Sequence, residues 1–249
     1  MSLESQLAEL TQTCNKLVEY FNTKKAGIDA ALAAAIAAAP AMSRTWYVDQ
    51  VAGSDANAGT KDAPFKTFEK AANSTPATGV CNINLMGDYT FTTLVRSSCA
   101  FILVSGAEAT VQPKIYLKYM DSGTSSGSTE LAGFLLTGQS ANIGIRKADL
   151  AFPSTAGATK LTATLLCSFI RTNQRTNLPP MLGVSLEGLA VTMDATFYGA
   201  LIGNSTSSVC LNANEVTFPS GFGGKYISTV AAGVDPKTLN NVLTNLPSL

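Results

Sequence analysis

The sequence predicts a mainly β chain preceded by an N-terminal helical segment. Three observations lead there. An apolar heptad repeat is confined to the first 40 or so residues; from Thr45 onward short β-type runs recur between Gly, Ser, Asn and Pro; and charged residues make up 14% of the 249 positions. Average globular chains carry roughly 25%. The difference is made up by Ser, Thr, Asn and Gly, a composition suited to many short strands joined by turns and to surface hidden against other copies.

The helical segment comes first. Apolar residues fall at Leu3, Leu7, Leu10, Cys14, Leu17, Phe21, Ile28, Ala31 and Ala35, mostly in alternating steps of four and three. Leu7, Cys14, Phe21, Ile28 and Ala35 take one core position of a heptad, and Leu3, Leu10, Leu17, Lys24 and Ala31 the other, Lys24 being the one clear violation. So narrow a seam calls for a partner helix, and a coiled coil over residues 1–40 is the expectation. Asn22-Thr23 can cap a new start and Gly27 weakens the middle, so one helix and two both remain open; Pro40 ends the segment.

The β runs follow: Trp46-Tyr47-Val48, Ile83-Asn84-Leu85, Ala100 to Val104, Ile115-Tyr116-Leu117, Gly133 to Leu136, Leu161 to Ile170, Val184-Ser185-Leu186, Leu189-Ala190-Val191 and Val209-Cys210-Leu211. They are too short for helices and too frequent for loops. Two later stretches read as helical, Pro64 to Ala72 and the tail that opens at Pro236, so the chain divides into residues 1–40, a β domain over 45–235 and a helical tail over 236–249. Periodicity alone leaves a sandwich, a barrel and a β-solenoid open.

Composition narrows the chemistry. Lys plus Arg balance Asp plus Glu at 17 each, with no basic run to neutralise phosphates, so a nucleic-acid partner is not expected. The chain has no histidine, which excludes Ser-His-Asp and Cys-His catalysis, His-ligated zinc and a histidine pH switch. Its five cysteines (Cys14, Cys81, Cys99, Cys167, Cys210) include no C-x-x-C, so no metal, no cofactor and no disulfide framework is expected, and the setting reads as reducing. The first 20 residues lack the pattern of a secretory signal, and the apolar run from Ala30 to Ala41 is too short to insert in a membrane.

One stretch is more specific. Tyr47 and Asp49 lead through Gly53, Asp55, Asn57, Gly59 and Thr60 to Pro64, Phe65 and Phe68: a strand, a tight polar loop and a short helix, together a cap spanning 46–72. This segment resembles the opening of pectin-lyase-like right-handed parallel β-helix proteins, a class that includes phage tailspikes and polysaccharide-acting proteins. The leucine heptad running through Lys24-Lys25-Ala26-Gly27-Ile28-Asp29 into an Ala-rich helix is similar to the head of phage tail-fibre and tailspike proteins.

The resemblance implies a short right-handed parallel β-helix, or related β-prism, behind an N-terminal coiled coil. It further implies a homotrimeric tail fibre or tailspike, made in the host cytoplasm and carried on the virion tail, whose partners are its own copies, tail or baseplate proteins and a host surface glycan. Oligomerisation falls to Leu3, Leu7, Leu10, Cys14, Leu17, Phe21 and Ile28. The alternative it implies is a depolymerase that cleaves bacterial surface polysaccharide as a glycoside hydrolase or polysaccharide lyase.

Catalytic residues are not assigned by the sequence. A glycosidase needs two carboxylates about 5 to 9 Å apart. Glu187 and Asp194 would lie on opposite faces of a continuous strand, while Asp49, Asp55, Asp62 and Asp88 sit where turns and caps account for them. Asp55-Ala56-Asn57-Ala58-Gly59 opens like a calcium loop but has Lys66 where the glutamate belongs. Arg171 and Arg175 bracket a polar loop suited to an acidic sugar, and Phe91, Tyr116, Tyr119, Phe134 and Tyr198 could stack on sugar rings, although packing explains most aromatics in a β chain. Gly221-Phe222-Gly223-Gly224 lacks the features of a phosphate loop and reads as a turn.

Overall fold

The computed structural model describes residues 2–38, 42–123, 127–139, 141–172, 181–204 and 206–249. The chain forms two units, Met1–Ala41 and Met42–Leu249.

The first unit is one helix, α1 (Leu3–Ala38). Asn22-Thr23 does not restart it, because the Thr23 hydroxyl donates to the Glu19 carbonyl at 2.9 Å, a bond that lets threonine sit inside a helix. Leu3, Leu7, Leu10, Cys14, Leu17, Phe21 and Ile28 are all exposed, Leu3 at 82%. The coiled coil expected here is corrected to a single helix whose apolar stripe is exposed. Heptad spacing decides which side chains share a stripe; it does not by itself supply what covers them.

The second unit contains β1 (Ser43–Val48), α2 (Phe68–Asn73), β2 (Val80–Leu85), β3 (Tyr89–Phe91), β4 (Leu94–Ser97), β5 (Phe101–Ser105), β6 (Lys114–Leu117), β7 (Tyr119–Asp121), β8 (Thr129–Leu131), β9 (Gly133–Leu136), β10 (Asn142–Arg146), β11 (Asp149–Phe152), β12 (Ser168–Thr172), β13 (Met181–Met193), β14 (Ala200–Gly203), β15 (Ser208–Thr217) and β16 (Val242–Thr244). A ten-stranded sheet runs β1-β2-β5-β10-β13-β11-β6-β3, with β15 and β16 continuing from β13; a four-stranded sheet runs β14-β12-β9-β4, and β7 pairs with β8. All pairings are parallel except β7 with β8.

β13 makes the ten-stranded sheet one continuous curled surface. Its first half pairs with β10 and its second with β11. Between them Gly188 turns to φ +59°, opposite Glu215 (φ +52°) in β15, and Lys147 (φ +51°) follows β10 at the same bend. Left-handed backbone at this corner bends the strand and resets its in-out alternation, so that both Leu186 and Leu189 face the core.

The core is layered. Cys81, Ile102, Ile143, Val184 and Leu211 form one inward row across the large sheet, and Ile83, Val104, Ile145 and Leu186 another. On the four-stranded sheet Val95, Phe134, Ile170 and Ile202 line up in register. Between the sheets runs a spine of rings, Tyr89, Phe68, Phe91, Phe134, Phe169, Phe152, Phe222 and Tyr226, with neighbouring centroids 4.0 to 6.4 Å apart. Aromatic pairs at such separations add to the area they bury.

Other expectations are corrected here as well. A compact domain of one curled sheet and two smaller sheets replaces the fibre built on a short pectin-lyase-like right-handed β-helix or β-prism, and the tail-fibre, tailspike and homotrimer expectations fall with it. The resemblance rested on residues 46–72, and these specify a strand, a turn and a helix without specifying how the strands beyond them are arranged. The helix expected from Pro64 begins at Phe68 instead, because Phe65 pairs with Val48 beside β1 and its N–H donates to the Tyr47 carbonyl at 2.9 Å. The helical tail over 236–249 is a single 3-10 turn, Pro236–Thr238, followed by β16, whose Val242 docks opposite Val209.

Candidate functional site: the outer face of the ten-stranded sheet

Along β1, β2, β5, β10, β13 and β15, alternate side chains point away from the core. One register level carries Tyr47, Asn84, Ser105, Arg146, Glu187 and Asn214, one residue per strand. Two residues back lie Thr45, Asn82, Leu103, Gly144, Ser185 and Asn212, and two further back Ser43, Val80, Phe101, Asn142, Gly183, Cys210 and Leu243. Neighbouring strands are about 4.8 Å apart, so each level presents side-chain groups at that repeat.

Phe101, Asn142, Gly183, Ser185, Cys210 and Asn212 line a shallow depression of about 490 Å³. Its floor is kept low by two glycines. A Cβ at Gly144 would sit 3.3 Å from the tip of the Phe101 ring, and one at Gly183 would lie 2.2 Å from the Asn142 side-chain oxygen. That oxygen accepts the Gly183 N–H at 3.0 Å. The ring of Phe101 therefore leans over bare backbone.

Four residues further along the strands the same face carries charged and polar groups. Glu108 accepts hydrogen bonds from Tyr47 Oη (3.3 Å), Asn84 Nδ2 (3.1 Å) and Lys61 Nζ (3.3 Å). Its ion pair with Lys61 is solvent-exposed and contributes at most about 1 kcal/mol. Arg146 Nε donates to Ser105 Oγ at 3.2 Å, leaning toward β5 and away from its register partner Glu187. Glu187 is exposed and, among the described residues, takes part in no ion pair.

The cap residues are placed in structural roles. Asp49 Oδ1 accepts the N–H groups of Val51 and Ala52, each at 2.9 Å. Asp55 accepts from Lys66 N, Thr67 N and Thr67 Oγ1, which fixes the start of α2 and occupies the carboxylate that a calcium loop would need. Asn57 Nδ2 and Ser54 N both donate to the Pro64 carbonyl, Thr60 accepts the Ala63 N–H, and Gly53 and Gly59 pack against the Phe65 carbonyl and ring. Phe65 and Phe68 are buried. Tyr47 alone of this group reaches the outer face.

The remaining candidates separate. Asp194 lies beyond the end of β13 and is bonded by the N–H and hydroxyl of Thr196, which hold its carboxyl below the usual range; it does not meet Glu187 on the outer row. Asp88 accepts the Lys114 N–H at 2.8 Å. Arg171 is 2% exposed and paired with Glu130 at 2.8 Å, its guanidinium also donating to the Leu166 and Leu131 carbonyls, so it is a core residue; Arg175 lies outside the described residues. Phe91 and Phe134 belong to the spine. Tyr119 Oη donates to the Tyr198 carbonyl at 2.6 Å, and burial pushes that phenol up to about 12; Tyr116 is 40% exposed. Gly221 and Gly224 form turns around buried Phe222. Among the described residues no cluster of three or more His, Cys, Asp or Glu side chains could hold a metal ion, and no helix is long and apolar enough to cross a membrane.

Sequence reasoning passed over Phe101, Asn142, Glu108 and Arg146. The alternation in Phe101-Ile102-Leu103-Val104 marks Phe101 and Leu103 as sharing a face, but nothing local says that Gly144 lies beneath that face. With this geometry established, no protein-family model matches the chain, and no curated protein matches it.

Proposed function

We propose that the domain of residues 42–249 acts on an extended polysaccharide laid across the strands of its large sheet, with depolymerisation of bacterial surface polysaccharide as its activity. The observation that carries this reading is the outer face itself. An aromatic ring sits on a flat glycine floor beside rows of amide, hydroxyl, guanidinium and carboxylate groups repeating at strand spacing. Sugar rings offer apolar C–H faces that stack on aromatic rings, and their hydroxyls exchange hydrogen bonds with amides and carboxylates. The strand repeat is comparable to the length of one sugar unit, so successive sugars would meet successive strands. Compactness favours this reading over a fibre, since a working face of this size needs no shaft.

In the cleavage step Glu187 is the carboxylate we place beside the scissile bond; Glu108, bonded to Asn84 three strands away at about 14 Å, belongs to the sugar-binding rows and not to the cleavage step. The test is to incubate the protein with capsular and lipopolysaccharide-derived glycans and follow new reducing ends and unsaturated sugars. Wild-type protein is expected to release oligosaccharides from at least one glycan, and Glu187→Gln to lower the rate by a factor on the order of 100 or more while binding persists. Absence of both binding and release across the panel defeats the proposal; binding without release would leave a recognition domain and remove the assignment of Glu187.

A further inference from the structure

We infer that the large sheet carries a second sugar-holding site beyond the Gly188 bend, on the outer side of β3, β6, β11 and the second half of β13. The class of its ligand rests on the glycan reading of the first face; its geometry does not. Thr90, Tyr116, Ala151 and Thr192 stand at one register level on these four strands. Ile115 and Leu117, on either side of Tyr116 in β6, are buried, whereas Tyr116 is 40% exposed. Its cross-strand neighbours, Thr90 and Ala151, stand about 4.8 Å away and are too short to cover the ring. At the edge, the Gln50 side-chain amide donates to the Thr90 carbonyl at 3.0 Å and accepts the Thr90 N–H at 2.7 Å, which finishes β3 beside the ring without a further strand.

A cavity continues this platform. Two residues beyond Tyr116 and Ala151 come Lys118 and Pro153, and both line a hollow of about 480 Å³ together with Asp121, Ser154, Ala156 and Thr159. Small-ligand sites span about 300 to 1,000 Å³, so a short stretch of sugar fits. The walls are held in place by the protein's own bonds. Ser154 Oγ lies 2.9 Å from Thr196 Oγ1 and accepts the Ala156 N–H at 3.1 Å, Thr129 N donates to the Lys160 carbonyl at 3.1 Å, and the Thr129 hydroxyl donates to the Thr159 carbonyl. Walls fixed in advance spare a ligand the cost of ordering them. Lys118 and Asp121 are exposed and take part in no ion pair among the described residues. An ammonium donates and a carboxylate accepts, so together they serve both halves of a sugar hydroxyl, next to a ring on which an apolar sugar face can stack.

This site holds and does not cut. The carboxylates that flank it serve the fold: Asp149 accepts the Ala190 N–H at 2.8 Å and Gln112 Nε2 at 2.6 Å, and Asp194 accepts the Thr196 N–H at 2.9 Å. A stretch of polymer or a branch bound here keeps the domain on its substrate while the first face acts, so one chain takes up two short oligosaccharides at once.

The experiment is calorimetry on the full chain carrying Glu187→Gln, which prevents turnover, with short oligosaccharides made by partial acid hydrolysis of bacterial capsular polysaccharide and lipopolysaccharide O-chains. Two oligosaccharides bound per chain are expected. Tyr116→Ala, and separately Ala156→Trp, which fills the cavity from an exposed loop position, should each abolish one of the two or weaken it on the order of tenfold, while Tyr116→Phe keeps the ring and both sites. A single oligosaccharide per chain, lost with Phe101→Ala and indifferent to Tyr116→Ala and Ala156→Trp, would overturn the inference and leave the glycan reading of the first face standing. No binding of any fraction would defeat both. Ala156→Trp decides the matter even if Tyr116→Ala does not fold.

Discussion

On the inner face of the ten-stranded sheet, Cys81, Ile102, Ile143, Val184 and Leu211 stand in one row and are all at most 2% exposed. On the outer face the row Tyr47, Asn84, Ser105, Arg146, Glu187 and Asn214 mixes a phenol, amides, a hydroxyl and both charges. The same strands make both rows, yet the first is uniform in chemistry and the second varied. Inside, close packing demands apolar groups of matching volume. Outside, no packed core holds the side chains of this row to one volume or polarity, so their choice is left to whatever meets them.

If that contrast is sound, changes inside should cost stability, and changes outside should cost binding. The largest loss is expected from Phe134→Ala, which breaks the spine where the rings of Phe68, Phe91 and Phe169 meet Phe134; about 3–5 kcal/mol should appear as a lower urea midpoint at unchanged m. Glu130→Ala should come next, at about 3 kcal/mol by the same measurement, because it leaves the Arg171 guanidinium buried without its counter-charge.

Alkali gives a third expectation. Burial raises Tyr89 to about 12, so the folded state keeps a phenolic proton that the unfolded chain releases near pH 10. Stability is complete below the unfolded value and falls as pH rises from about 10 through 12. Tyr89→Phe should flatten that fall by an amount on the order of 2 kcal/mol, read from urea midpoints across the same pH range; an unchanged slope would assign the alkaline loss elsewhere. Gly188→Ala should cost about 1–2 kcal/mol, since it puts a side chain at φ +59° and a Cβ 2.8 Å from Lys147 Nζ. The smallest stability change, under about 1 kcal/mol, is expected for Phe101→Ala on the outer face, together with a loss of glycan affinity of about tenfold by calorimetry. Equal losses of stability for Phe101→Ala and Phe134→Ala would erase the distinction between the faces.

How much of this was legible follows from range. The runs Ile83 to Leu85 and Ala100 to Val104 lie within or overlap β2 and β5, because their apolar residues carry the strand signal by themselves. Val184-Ser185-Leu186 and Leu189-Ala190-Val191 read as two strands and are one. The left-handed Gly188 shifts the alternation inside β13, and a parity shift looks like a break in a linear pattern. The apolar run Leu161 to Ile170 is longer than its strand, since regular strand starts at Ser168 and turns precede it. Arg171 looked like a ligand-binding cation because its partner, Glu130, is distant in sequence and belongs to β8. The outer face was out of reach for the same reason: Phe101, Gly144 and Gly183 become neighbours through register, and register is a property of pairs of strands.

The bend at Gly188 also bears on how the domain reaches its fold. β13 is shared by both limbs of the large sheet, so sliding it by one residue would turn Leu182, Val184 and Leu186 outward on one limb and Leu189 and Val191 outward on the other in the same step. A near-miss alignment of this strand is therefore penalised twice, and the left-handed corner beside Lys147 and Glu215 acts as an index mark that only one alignment can match. Assembly of the two limbs is thereby coupled through a single strand, with β13 serving as the checkpoint at which a misaligned chain is rejected before the sheet closes.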